Sequence, residues 1–215
     1  MELKSLNAEL SKYVENVIQR YETISEGRRE VLRQVASEIR NEIAGQGAAR
    51  LTFVCTHNSR RSHLAQVWAA VAAVRLGVKN IESYSGGTEV TACNERTVAA
   101  FKRAGFEVGV DGDGGDGESE NPMYELRFDS SSEPIRCFSK IYNETPNPTE
   151  SYFAMMCCGD VDERCPVVGG AKHRFSIHYV DPKVSDSTEA ESETYDERCL
   201  QIATEMFFLI AAISE

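Results

Sequence analysis

The stretch Phe53-Val54-Cys55-Thr56-His57-Asn58-Ser59-Arg60-Arg61-Ser62-His63-Leu64 constrains the fold more than any other, because an apolar run ends on one side of it and a helical pattern begins on the other. Leu51 to Val54 is short, apolar and partly β-branched, whereas Leu64 to Leu76 is Ala-rich with helical spacing. The two patterns predict a strand and a helix, with Cys55 to Arg61 as the connecting loop. Such a loop makes an anion site. Its N–H groups and those of the first helical turn converge on one spot, and the helix dipole adds positive charge there. Arg61 contributes a planar fork that matches tetrahedral oxyanions. The same field suits a nucleophilic thiolate at Cys55, with Ser62 placed to donate a hydroxyl hydrogen bond to the sulfur and Asn58 to hold the loop shape. The blander alternative is a small buried hydrophobe at a strand end.

The remaining chain supplies a sheet for this loop. Gly77 breaks the helical pattern, and Ile81 to Ser85 predicts the next strand of a βαβ unit, hence a parallel sheet. Ser85-Gly86-Gly87-Thr88 forms a tight exit loop, and Asn94 to Ala104 reads as a helix stopped by Gly105. Met123 to Phe128 and Ile135 to Ile141 predict a hairpin, part of an insertion at about 109–150. Asp111 to Glu118 alternates acidic residues with glycine, but an EF-hand needs Gly at its sixth place and Glu at its twelfth, where Asp116 and Pro122 stand. A flexible acidic surface loop is the better reading. Phe153 to Cys158 and Arg174 to Val180 predict two further strands, and Tyr195 to Ile210 a closing amphipathic helix.

Residues 1–48 read as a helical extension. Leu10, Val14 and Val17 share one helical face and Leu32, Val35 and Ile39 another, with Thr23 and Glu26 as a capping box between them and Gly45-Gln46-Gly47 as the stop. The expected fold is therefore an α/β three-layer sandwich with a mostly parallel central sheet over residues 49–215, preceded by this extension.

A net charge of -11 argues against nucleic-acid or anionic-membrane partners, which select clustered Lys and Arg. With no apolar segment of signal-peptide or membrane-spanning length, the expected location is cytoplasmic. The seven cysteines (55, 93, 137, 157, 158, 165 and 199) then suit catalytic, metal-binding or packing roles better than a disulfide framework. Zinc fits poorly, since adjacent Cys157 and Cys158 with Cys165, His173 and His178 make no ordinary ligand spacing. Neither a metal nor another cofactor is expected. Cys157 alternates away from Cys158 along the strand and reads as a buried thiol.

Cys158-Gly159-Asp160-Val161-Asp162-Glu163-Arg164-Cys165-Pro166 spaces two thiols seven residues apart. On a helix that is roughly 10 Å of rise, beyond the ~7 Å Cα separation a disulfide tolerates, so pairing them requires the segment to unwind. Gly159, Asp160 and Asp162 make it polar, and it reads as poorly anchored.

Cys-x5-Arg-Ser with Asn at the fourth position, followed by a strand, Ser-Gly-Gly and a helix, resembles the low-molecular-weight tyrosine phosphatase family, which includes the thioredoxin-coupled arsenate reductases. It departs at His57 and Arg60, where that family commonly has Gly and Cys. Cys-Gly-Asp-x4-Cys-Pro after an apolar strand is similar to the second and third redox cysteines of the reductases, a pair that ordinary phosphatases lack. The resemblance implies Cys55 as nucleophile, Cys158 as first resolving thiol, Cys165 as terminal thiol, and Asp181 of Asp181-Pro182 as general acid. It further implies Thr56, His57, Asn58, Ser59, Arg60 and Ser62 as the loop around a small oxyanion such as arsenate, phosphate or sulfate. Lys183 and Val184 stand where phosphatases tend to carry aromatic residues, which favours an inorganic substrate. Arsenate reduction with a thioredoxin-like reductant is the expected function. The alternatives are phosphomonoester hydrolysis through a cysteinyl-phosphate and a non-catalytic thiol sensor.

Overall fold

A computed structural model describes residues 6–110, 119–164 and 167–214. Cys165 and the acidic Asp111 to Glu118 stretch lie outside the described residues. Two helices open the chain, α1 (Ala8–Gln19) and α2 (Glu26–Gln46). Strand β1 (Ala49–Cys55), helix α3 (Arg61–Leu76) and strand β2 (Ile81–Gly87) follow as the βαβ unit. Then come α4 (Glu95–Arg103), β3 (Glu107–Val110), β4 (Tyr124–Arg127), β5 (Ile135–Cys137), β6 (Tyr152–Met156), α5 (Gly159–Arg164), β7 (Ala171–Ser176) and α6 (Glu191–Ile213).

The fold is α/β. Its main sheet has the order β2-β1-β6-β7, with every neighbouring pair parallel. Parallel strands buried on both faces need continuous apolar runs, and the two inner strands have them. β6 is buried along its length and β1 at all but one residue. Because the strands run the same way, the ends of β1, β2, β6 and β7 open at one edge. In such sheets that edge is where ligands bind.

The hairpin predicted in the insertion forms as β4 and β5, but it acquires a third strand. β3 pairs antiparallel with β4 to complete a separate sheet. The pattern Glu107-Val-Gly-Val110 is too short to announce a strand by alternation, so the pairing comes from tertiary context.

Helix α6 packs against α1, α2, α3 and α4. Trp68 of α3 is the hub. Tyr13 of α1 stacks on it at 5.2 Å, Phe106 meets its edge at 5.3 Å, and its indole N–H donates to Cys199 Sγ of α6 at 3.2 Å. The N-terminal helices are tied in again where Arg28 pairs with buried Glu205 at 2.7 Å and lies 5.1 Å over the Tyr179 ring. The start of α2 differs from the predicted capping box: Ser25 is the N-cap, its hydroxyl facing the Arg28 N–H, while Thr23 turns its own hydroxyl to the Arg20 carbonyl. Three residues of 3-10 turn between the helices move the cap two places along. Among the described residues no helix is long and apolar enough to cross a membrane.

Candidate functional site

The loop after β1 is held from outside by its carbonyls. Thr56 O accepts from the N–H groups of Thr88 and Glu89, each at 2.9 Å. His57 O accepts from the hydroxyls of Ser139 at 2.8 Å and Thr91 at 3.1 Å, and Ser59 O from the Asn94 N–H at 3.0 Å. Three of the loop's carbonyls are thus fixed by bonds to other parts of the chain. A loop so held, followed by the first turn of a helix whose N–H groups lack intrahelical partners, is the kind of backbone that can serve as an anion nest.

Asn58 shapes the turn. It adopts φ +45°, a left-handed conformation that Asn tolerates because its short side chain bonds locally. Its amide donates to Ser62 Oγ at 2.9 Å, and its carbonyl oxygen accepts from the Lys140 N–H at 3.0 Å. Ser62 Oγ in turn lies 3.1 Å from Cys55 Sγ. A hydroxyl that already accepts from Asn58 has its proton free to donate to the sulfur. The exit of β2 must be glycine for this loop to fit. A Cβ on Gly87 would stand 2.6 Å from Thr56 O and 2.7 Å from Asn58 N, and one on Gly86 would stand 2.1 Å from the Tyr142 Cα.

Behind the loop lies a buried polar group that the sequence does not single out. His63 Nδ1 and the Lys140 ammonium both meet Ser85 Oγ, at 3.2 and 3.5 Å. Burial, with Lys140 nearby, pushes the His63 pKa down to about 3, so the imidazole is neutral. Burial likewise lowers Lys140 to about 8, although the Cys137 and Cys93 thiols beside it oppose the shift.

Arg61 and Asp181, expected to converge on the sulfur, are here joined to each other. Arg61 donates to Asp181 Oδ2 at 2.7 Å and to the Tyr179 carbonyl at 3.1 Å. Asp181 Oδ1 caps the following 3-10 turn by accepting from the Lys183 N–H at 3.0 Å. Arg60 contributes its backbone to the loop, but its guanidinium points elsewhere. It pairs with Asp186 at 3.0 Å and donates to the Tyr195 hydroxyl at 2.6 Å, fastening the loop to the start of α6. His57 keeps its ring half-exposed, 3.4 Å from Glu89.

Cys158 comes to the same edge of the sheet. Its Sγ lies 3.7 Å from Thr56 Oγ1, the residue directly after Cys55. Cys158 is itself buried, only 2% exposed. Cys157 beside it is fully buried, and burial first and the Cys55 and Cys158 thiols second push its pKa well up. Its burial agrees with the sequence reading of a buried thiol on this strand. Cys93, Cys137 and Cys199 are also buried. The Cys158–Cys165 segment departs from its expected looseness. Residues Gly159–Arg164 form helix α5, in which Val161 is buried and Asp162 is bound to three side chains of β7 and its extension.

Residues 50–112 match the family model described as low molecular weight phosphotyrosine protein phosphatase, which bears out the resemblance over that segment. Among solved structures, a low molecular weight phosphotyrosine phosphatase of Vibrio cholerae O395 aligns at 16% identity and TM-score 0.49, over 78% of this chain and 98% of that one. A low molecular weight protein tyrosine phosphatase of T. tengcongensis aligns at 16% and 0.48, over 76% and 99%. A thioredoxin-dependent arsenate reductase of Corynebacterium glutamicum aligns at 14% and 0.39, over 91% and 94%. No curated protein matches the sequence.

Proposed function

Since residues 50–112 match the low molecular weight phosphotyrosine protein phosphatase family, we propose that this chain is an enzyme of small oxyanions and that its reaction is the reduction of arsenate. Arsenate sits in the nest of loop N–H groups from Thr56 to Arg61, and its charge draws the Arg61 guanidinium away from Asp181. Asp181 is thereby released to protonate the departing oxygen. The Cys55 thiolate attacks arsenic, and water leaves to give an S–As(V) adduct.

Cys158 then attacks the Cys55 sulfur. The S–As bond breaks, its electron pair stays on arsenic, and arsenite departs as a Cys55–Cys158 disulfide forms. Cys165 attacks Cys158, restoring the Cys55 thiolate and leaving a Cys158–Cys165 disulfide. A thioredoxin-like dithiol reduces that bond and takes up the oxidation. The observation that carries this reading is the Cys158 thiol against Thr56 at 3.7 Å, a second sulfur buried beside the loop.

Arsenate-dependent turnover coupled to a thioredoxin system tests it, with wild type compared to Cys165→Ser. Multiple turnover is expected in the wild type and a single turnover in the variant. Undiminished cycling of Cys165→Ser contradicts the relay. The second reading is phosphomonoester hydrolysis, favoured by the Arg61–Asp181 pair, since the loop and one general acid suffice for a cysteinyl-phosphate route. Aryl-phosphate hydrolysis that needs Cys55 but not Cys158 decides for it.

A further inference from the structure

Among the described residues, the chain that follows Cys158 is fastened at two, Val161 and Asp162. Helix α5 is a single short piece, too short to be stable by itself. Val161 gives it one buried side chain, while Asp160 and Glu163 are exposed. Asp162 provides the other attachment, with a side chain only 12% exposed. Its carboxylate meets the Arg174 guanidinium, the Ser176 hydroxyl and His178 Nε2, the last at 2.7 Å, and Arg174 also donates to the Asp162 carbonyl at 2.6 Å.

The three partners share one side of the chain for a simple reason. Arg174, Ser176 and His178 are spaced by two, and the strand ladder continues past β7, with the N–H groups of Ile177 and Tyr179 donating to Met156 and Cys157 carbonyls of the neighbouring strand. Alternation therefore sends Ile177 and Tyr179 into the core and the polar trio towards α5.

We propose that Asp162 is a clasp that sets how readily the thiol-bearing segment opens, and so acts as a positioning residue for pairing Cys158 with Cys165. The pairing belongs to the relay proposed above. The clasp is a property of the fold and is tested separately. Seven residues of helical rise amount to roughly 10 Å, beyond the ~7 Å Cα separation a disulfide tolerates, so pairing the two cysteines requires the intervening α5 to unwind. The carboxylate contacts hold in the closed form alone. They oppose unwinding, and removing them biases the segment towards the open, disulfide-competent state.

The first readout is amide hydrogen exchange of residues 159–164 in the reduced full chain. Asp162→Ala is expected to speed it about tenfold, with Asp160→Asn unchanged. The second is the oxidised-to-reduced ratio of the Cys158–Cys165 pair in a buffer of oxidised and reduced dithiothreitol. In that reaction Cys158 thiolate opens the reagent's S–S bond and Cys165 thiolate displaces the reagent dithiol. The pair loses two electrons and its protons, and the reagent gains them. At a fixed buffer ratio Asp162→Ala is expected to hold about ten times more of the pair oxidised.

Ser176→Ala removes one contact of the clasp without touching α5, and is expected to move both readouts about threefold in the same direction; it serves if Asp162→Ala does not fold. Exchange at 159–164 that is the same in wild type, Asp162→Ala and Ser176→Ala overturns the clasp. Faster exchange with an unchanged redox ratio overturns its role in positioning. If the wild type forms no Cys158–Cys165 disulfide, the relay fails while hydrogen exchange still decides the clasp.

Discussion

The two cysteine-bearing segments at the sheet edge are built in opposite ways. Around Cys55 the backbone is over-determined: carbonyls of Thr56, His57 and Ser59 are all bonded to residues 88–94, His57 also to Ser139, and Asn58 is bonded on both sides. After Cys158 the chain is a six-residue helix attached, among the described residues, through Val161 and Asp162. The contrast fits the division of roles proposed above. A nest that stabilises developing charge must be organised before the substrate arrives, because any reorganisation would be subtracted from its effect. A thiol that must change partners needs the reverse, a segment near the low-stability end of the molecule.

The sharpest way to break this comparison is to disturb the first region from behind. His63, buried beneath the loop, has a folded-state pKa of about 3 against an ordinary value of 6.5. The unfolded chain therefore binds the extra proton first as pH falls. The stability tied to neutral His63 is fully present above pH 6.5 and is lost progressively towards pH 3, to about 5 kcal/mol in all. Urea unfolding of wild type and His63→Gln at a series of pH values should show a shallower acid limb in the variant. Parallel limbs would remove His63 from the account.

Next in size is Asp181→Asn. Loss of a general acid is expected to lower kcat on the order of 10³-fold with little change in KM. Steady-state kinetics on the accepted oxyanion substrate check it, and an equal rise in KM would recast Asp181 as a partner that merely positions Arg61. A Cβ on Gly87 would collide with backbone atoms of Thr56, Asn58 and Glu89, none of which can move independently. Gly87→Val should cost about 3 kcal/mol in urea unfolding and weaken inhibition by inorganic phosphate. The smallest effect belongs to the second region. Asp160→Asn, on the exposed side of α5, should change stability by less than about 0.5 kcal/mol.

The first region was largely legible in the sequence and the second only partly, for a physical reason. The loop's determinants are local: Asn58, Ser62 and the α3 N-terminus lie within eight residues of Cys55, and the glycines of Ser85-Gly86-Gly87 mark their own tight turn. Arg60 shows the limit. Its partners Asp186 and Tyr195 lie 126 and 135 positions away, so nothing near it distinguishes a loop fastener from an oxyanion ligand. Lys140, whose backbone N–H meets Asn58, is likewise 82 positions away. In the sequence, Gly159, Asp160 and Asp162 show only a polar segment, which reads as poorly anchored. The alternating Arg174, Ser176 and His178 that bind it were visible only as part of a strand. Local chemistry can be read one stretch at a time, whereas a side chain's partner across the fold cannot.

The central claim is that Cys55 and Cys158 act in succession on one oxyanion. The most direct test is a single turnover of Cys165→Ser with a stoichiometric amount of arsenate and no added reductant, followed by quantitation of arsenite and by mapping of the disulfide. The account predicts one arsenite per chain and a Cys55–Cys158 bond that accumulates with it. Arsenite release with Cys158 still reduced, or no arsenite at all from a chain whose Cys55 binds the oxyanion, would contradict it.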